Sequence, residues 1–416
     1  MNLKIKFMKR IIYILGLALM AASCVKEGPQ GPTGPTGTAG IAGIAGKDGV
    51  NGTNGVDGAK GTDGAKGADG TATCSACHNN DAKLYTAQLQ YNKSVHAEGA
   101  TAGSENKSDC SGCHTNEGFV QRIADGNFSL LPANGFSNVT PISCYSCHNI
   151  HTAYDKTDYA FKSVAPVICL ADSTATINKG NSNLCINCHQ SRALAVVFKT
   201  AKTYSQLKAA DDTVIVKLTS GRLGPHHGPQ GNLLNGTAGS GAYEIAGSTG
   251  YVNSTHASAS NCIQCHMGSS ASGVMAGGHS LNVSYLASET ATTKTLNQNA
   301  CATCHSTDIA AKTLAGTTTA KFETSQATIT KLLASLRTVL GKKGWLDTIP
   351  ANTSTYDLLI ANKKGLSATN VLYLTAAQVK VFYNYKFIEE DKSLGIHNPS
   401  YAKALLQNSL DLAKTW

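Results

Sequence analysis

Aromatic side chains are scarce in this chain of 416 residues, at 6% of the total with 2 tryptophans. Aromatics bring the largest apolar area per residue to a core. So thin a supply excludes a large, conventionally packed interior unless something other than side chains helps to fill it. Methionine is scarce too: of the 5 present, Met1, Met8 and Met20 belong to the N-terminal start, leaving Met267 and Met275. The apolar run Ile11 to Met20 is too short to span a bilayer comfortably.

Cysteine and histidine are plentiful by contrast. Of the 14 cysteines, twelve fall into six copies of C-x-x-C-H: Cys74/Cys77/His78, Cys110/Cys113/His114, Cys144/Cys147/His148, Cys185/Cys188/His189, Cys262/Cys265/His266 and Cys301/Cys304/His305. Each copy reads as a c-type haem attachment site. Two thiols at this spacing can form thioethers with the two vinyl groups of one porphyrin, while the next imidazole reaches the iron. Structural disulfides or a zinc array would use the same residue types. Neither requires a histidine directly after the second cysteine every time. The expected cofactors are therefore six covalently bound haem c groups.

The first residues give the compartment. Lys4, Lys6, Lys9 and Arg10 precede the apolar run, and Ala21-Ala22-Ser23 leads to Cys24, the layout of a secretory signal over residues 1–23. Cys24 resembles the acylated cysteine of bacterial lipoproteins, although the leucine usual three residues before it is Ala21 here. Lipidation at Cys24, with residues 24–27 as the anchor region, predicts a membrane-tethered extracytoplasmic protein on the periplasmic face or the cell surface. Cleavage by an ordinary signal peptidase is the alternative.

From Gly28 to Gly70 glycine occupies every third position. This is the collagen period, in which only glycine fits the crowded axis of three wound chains. Proline is confined to Pro29, Pro32 and Pro35, below the usual collagen content, while Lys60 and Lys66 each stand three residues before Asp63 and Asp69. Residues 28–72 are expected to form a stalk, either as a homotrimeric triple helix or as a flexible single-chain spacer. Its extended length is at most roughly 130 Å.

The rest of the chain is expected to be mainly α with long irregular loops. A haem-organised hexahaem head at 73–306 would be followed by a helical C-terminal extension at 307–416 packed on it. Phe322, Ile329, Leu332, Leu333, Leu336, Val339 and Leu340 recur at helical spacing, as do Val379, Phe382, Tyr383 and Phe387. Asn398 and Pro399 read as an N-cap and first helical residue before Tyr401 to Leu412. The formal charge of +9 includes the signal and omits the haem propionates, so it carries no nucleic-acid expectation. Cys169 reads as a small buried hydrophobe, and the long loop between Cys188 and Cys262 as a possible cavity lining.

Of the 13 histidines, seven lie outside the motifs: His96, His151, His226, His227, His256, His279 and His397. His226 and His227 are adjacent, so one is spare, and six candidates face six irons. Met267 sits beside a motif histidine and Met275 is the one methionine free to compete, so bis-histidine ligation throughout is the expectation. His151 follows His148 too closely to reach the opposite face of the same porphyrin. If it ligates, it ligates a neighbouring haem.

Several stretches carry a family resemblance. They are Ser94-Val95-His96 ahead of a motif followed by Thr115-Asn116-Glu117-Gly118-Phe119, then Cys144 through Asn149-Ile150-His151, Gly224-Pro-His-His-Gly-Pro-Gln230, Gly277-Gly278-His279 and Gly395-Ile396-His397-Asn398-Pro399. The chain resembles multihaem cytochromes related to pentahaem nitrite reductase and octahaem hydroxylamine oxidoreductase. That resemblance implies distal-ligand roles for His96, His151, His279 and His397. The chain departs from it in having no C-x-x-C-K motif, two fewer haem motifs than the octahaem enzymes, and no identifiable tyrosine crosslink. Electron transfer with redox partner proteins is therefore the first functional expectation. A reductase or oxidase of small nitrogen or sulfur species with one open iron is the alternative, and a structural role for the stalk could accompany either.

Overall fold

The computed structural model describes His78 and, with short interruptions, residues 82–126, 131–192, 196–218, 223–305, 321–346 and 369–416. The chain divides into two compact units, Met1–Lys66 and Gly67–Trp416, and the described residues belong to the second. The signal segment, Cys24, the glycine repeat, Cys74, Cys77 and His227 lie outside the described residues.

Short helices and long connections make up the first part of the fold. Helix α1 (Ala82–Tyr91) is followed by α2 (Ser108–His114) and α3 (Asn116–Asp125). Thr115 separates α2 from α3 because its extended backbone ends one helix and its hydroxyl accepts from Gly118 N, capping the next. The later motifs form turns of four or five residues: Cys144–Cys147, Asn183–Ile186, Cys262–His266 and Gln298–Cys301. Two of these start in reciprocal capping boxes, Ser143 with Ser146 and Asn261 with Gln264.

The C-terminal part is built from α4 (Lys321–Lys342), α5 (Ala376–Asp391) and α6 (Pro399–Ala413). Ile329, Leu336 and Leu340 of α4 are buried, with Leu332, Leu333 and Val339 packed beside them; the side chain of Phe322 lies outside the described residues. Helix α5 goes beyond the expected stripe. Val379, Val381, Phe382, Tyr383 and Phe387 are fully buried, and so are Asn384 and, nearly, Lys380, Lys386 and Glu390, so the helix is enclosed all round. Several of its buried polar groups are satisfied by named partners, whereas the Tyr383 hydroxyl is buried with none among the described residues. Asn384 Nδ2 donates to Tyr243 O at 2.6 Å and Ser409 Oγ at 3.0 Å, while its Oδ1 accepts from Tyr243 N at 2.9 Å. Lys380 pairs with Asp212 at 2.9 Å, and Lys386 with Glu389 at 2.5 Å and Glu390 at 3.3 Å.

Among the described residues three small antiparallel sheets stitch the loops. β1 (Val167–Ile168) pairs with β2 (Thr176–Ile177), and β6 (Ser284–Leu286) with β7 (Lys294–Leu296). The third sheet contains β3 (Val196–Val197), β4 (Ala201–Lys202), β5 (Ile215–Leu218) and β8 (Leu372–Thr375), in the order β4-β3-β5-β8. The C-terminal extension is therefore not purely helical. β8 registers Leu374 opposite Val216 and both side chains enter the core. The long loop after Cys188 is likewise largely core material, since Leu207, Leu218, Leu223, Leu233, Tyr243 and Ile245 join α4, α5 and α6. Asn398 occupies the N-cap position of α6 with Pro399 at N1, but it makes no capping bond. Its side chain instead accepts from Ser254 N at 2.9 Å and donates to Leu233 O at 3.2 Å, because neighbouring loops compete for it. Among the described residues no helix is long and apolar enough to cross a membrane.

Candidate haem-binding site

A single helical turn explains the motif geometry. Residues i, i+3 and i+4 share one helix face, so both thiols of a motif and the following imidazole face the same side. Every described motif cysteine and every described histidine lines one continuous cavity of about 2130 Å³. This exceeds the usual few hundred to about 1,000 Å³ of a single small-molecule pocket. Leu84, Phe119, Phe161, Leu170, Leu184 and Leu296 give it apolar walls.

Across this cavity the histidines meet in twos. Ring centroids lie 6.4 Å apart for His78 and His151, 5.9 Å for His96 and His189, and 6.1 Å for His148 and His279. The separation is 5.9 Å for His256 and His305 and 6.3 Å for His266 and His397. Each pair joins one motif histidine to one non-motif histidine. Two imidazole nitrogens each about 2 Å from a shared metal, with each ring centre roughly 1 Å further back, put the centroids roughly 6 Å apart. The spacing of the pairs therefore fits residues that would hold one iron between two imidazoles, as in a haem group attached through the neighbouring thiols. His148 pairs with His279 while His151, three residues on, pairs with His78. His114 and His226 also line the cavity, and His226 Nε2 lies 3.4 Å from Arg192 Nη1. Met267 is a lining residue as well.

Hydrogen bonds fix which ring nitrogen is available. His148 Nδ1 donates to Tyr159 O at 2.7 Å, His256 Nδ1 to Ile396 O at 2.6 Å, and His266 Nδ1 to Leu281 O at 2.8 Å. A carbonyl can only accept, so Nδ1 carries the proton and the neutral ring presents its Nε2 lone pair. His189 Nδ1 meets Gln230 Oε1 at 3.2 Å, and the Gln230 amide is oriented by its Nε2 donating to Glu390 O and Asp391 O. His397 Nδ1 donates to the Asp391 carboxylate at 2.6 Å. Outer partners of this kind orient metal-bound imidazoles and raise their basicity.

Burial favours the neutral imidazole a metal requires. Desolvation, then the charge of His189, pulls His96 down to about 4. Burial also holds His189, His266 and His279 below the ordinary histidine value. At His397 burial acts downward too, but the charge and hydrogen bond of Asp391 outweigh it and the net shift is upward.

Local backbone features aim the rings. His151 and His226 sit at φ 61° and 64°, a left-handed conformation that costs a non-glycine residue of order 1–3 kcal/mol. His279 depends on the two glycines before it. A side chain on Gly278 would collide with the Gln90 amide, which accepts from His279 N at 3.0 Å, and one on Gly277 would strike the Gly268 carbonyl.

Thiols of different motifs influence each other, Cys113 with Cys188 and Cys185 with Cys262. Within each pair the neighbouring thiol is the largest cause that pulls one of them, Cys113 or Cys262, down to about 7. Buried Arg122 ties two motifs together by donating to Gly112 O at 3.3 Å and Asn187 O at 2.9 Å. Arg122, Gln90 and Gln230 carry no sequence signal of these roles, because each acts on a residue distant in the chain; Asp391 lies only six residues from His397 and shows its role only when the turn between them is formed.

Residues 25–76 match the family model for the collagen triple helix repeat. No curated protein matches the chain. A crystal structure of outer cell wall cytochrome OcwA is similar at 14% identity and a TM-score of 0.42. That alignment covers 78% of this chain and 49% of the other, so the chain spans about half the length of the solved structure it matches.

Proposed function

We propose that this chain is an extracytoplasmic hexahaem c-type cytochrome that conducts electrons between redox partner proteins. The observation that carries the reading is the set of five histidine pairs with centroids 5.9–6.4 Å apart across one cavity, each joining a motif histidine to a partner outside the motifs. Haem iron, when bound, supplies a one-electron couple, and bis-histidine ligation sets it at lower potential than methionine/histidine ligation does. The chain contributes the rest. Cys110/Cys113, Cys144/Cys147, Cys185/Cys188, Cys262/Cys265 and Cys301/Cys304 would hold five of the groups covalently, and Cys74/Cys77 the sixth. Carbonyls at Tyr159, Leu281 and Ile396 orient ligand rings, and apolar walls would give bound porphyrins a surface to pack against. His148 and His151, three residues apart, face His279 and His78 respectively, which would make the groups held by those two pairs neighbours, as electron hopping requires.

The remaining elements follow the sequence reading. Cys24 would anchor the mature protein to a membrane, and the collagen-like repeat would act as a stalk, trimeric or extended. Redox partner proteins are expected, and nucleic acid is not.

The test is a haem count by mass spectrometry with a spin-state assay on purified mature protein. Six haems, all low-spin, are expected. Fewer than five haems on fully matured protein would overturn the reading. A high-spin haem that binds cyanide or nitrite in the unaltered protein would transfer it to the reductase class, with the segment around His226 and His227 as the first place to look for a proton donor.

A further inference from the structure

The last turn of α5 and the start of α6 are joined by the segment 391–397, and this segment serves two histidine pairs at once. Its Ile396 carbonyl accepts from His256 Nδ1, while His397 faces His266. Lys392, Leu394 and Gly395 all have positive φ, at 62°, 53° and 84°. Two non-glycine residues in this conformation show that the surrounding packing dictates the path.

The path brings Asp391 back onto His397. The Asp391 side chain is fully buried, and its Oδ1 accepts from His397 Nδ1 at 2.6 Å. Its Oδ2 accepts from Ser393 N at 3.2 Å and from the Ser393 hydroxyl, so both oxygens are fixed. The other four Nδ1 hydrogen bonds described above end on neutral oxygens: Tyr159 O, Gln230 Oε1, Ile396 O and Leu281 O.

We propose that Asp391 is a positioning and redox-tuning residue that, through His397, lowers the reduction potential of the site between His266 and His397. The inference rests on the haem-binding reading above. Two effects act in the same direction. A carboxylate accepting from Nδ1–H gives the imidazole partial imidazolate character, making it a stronger donor that favours the ferric state. Reduction at that site adds one electron, and a buried negative charge opposes the addition more strongly than it would in water.

The measurement is a spectroelectrochemical titration of the purified full-length holoprotein, unaltered and as D391N. Asparagine keeps an oxygen to accept from Nδ1 but removes the charge. One of the titrating components should move to higher potential by at least tenfold in its one-electron equilibrium, about 59 mV. Haem count and low-spin signature should stay unchanged. S393A provides a second test: it removes the hydroxyl donor to Oδ2, leaving the carboxylate less compensated, so a component should move to lower potential. Titrations of both variants that superimpose on the unaltered protein would overturn the proposal, as would equal shifts of every component. A protein that carries no haem would defeat the haem-binding reading itself, whereas six haems with no shift would defeat only the role of Asp391.

Discussion

Around the cavity, most of the motif-bearing helices run for only four or five residues, and His78, Cys144, His151 and Cys304 remain exposed. In the C-terminal part, α5 has Val379, Phe382, Tyr383 and Phe387 wholly enclosed by α4, α6, β5 and β8. The small apolar cluster Val167, Cys169, Ile177 and Ile186 is the main counterpart beside the motifs, with Cys169 buried in it. The scarcity of aromatics is therefore unevenly distributed. Side chains complete the core around α5, while the region that carries the motifs surrounds a cavity with ligands and apolar walls.

The largest test of this contrast is to withhold the cofactor. Protein produced without haem maturation should lose its fold chiefly in the cavity region. Limited proteolysis should then cut within residues 82–192 well before it cuts α5 or α6, and equal rates in both regions would abolish the distinction. Next in size is Phe382→Ala, which removes a fully buried aromatic side chain from the C-terminal core. Chemical denaturation should show a loss of about 3–5 kcal/mol, with the haem count by mass unchanged.

Asn384→Ala should cost less, about 1–3 kcal/mol in the same assay, because it leaves the buried Tyr243 N–H and C=O without their amide partner. The smallest stability effect belongs to the cavity side. His279→Ala should leave the denaturation midpoint nearly unmoved, yet convert one low-spin haem to a high-spin form that binds cyanide. Met275, two residues before Gly277, is not among the residues lining the cavity. A variant that stays entirely low-spin would mean that another side chain takes the position facing His148.

Much of this was legible along the chain, and what was legible was local. A C-x-x-C-H motif is a covalent attachment chemistry confined to five consecutive residues, so each copy could be read without knowing the fold. The glycine period from Gly28 to Gly70 and the basic, apolar and small-residue order before Cys24 are equally local. The apolar spacing of Ile329 to Leu340 named a helix face because helical periodicity is a property of a single segment.

What depended on distant segments could not be read that way. The sequence supplied His96, His151, His256, His279 and His397 as candidates, but only folding decided that they face His189, His78, His305, His148 and His266 respectively. The same holds for the enclosure of α5, whose Lys380 looks solvent-facing until Asp212, distant in the chain, is brought beside it. It holds also for Asn398, drawn from its capping role by Ser254 and Leu233, and for β8, which needs β5 to become a strand. Covalent attachment chemistry and periodicity are written in neighbouring residues. Ring pairing, ring tautomers and the satisfaction of buried charge are long-range contacts, fixed only when the whole chain has chosen its packing.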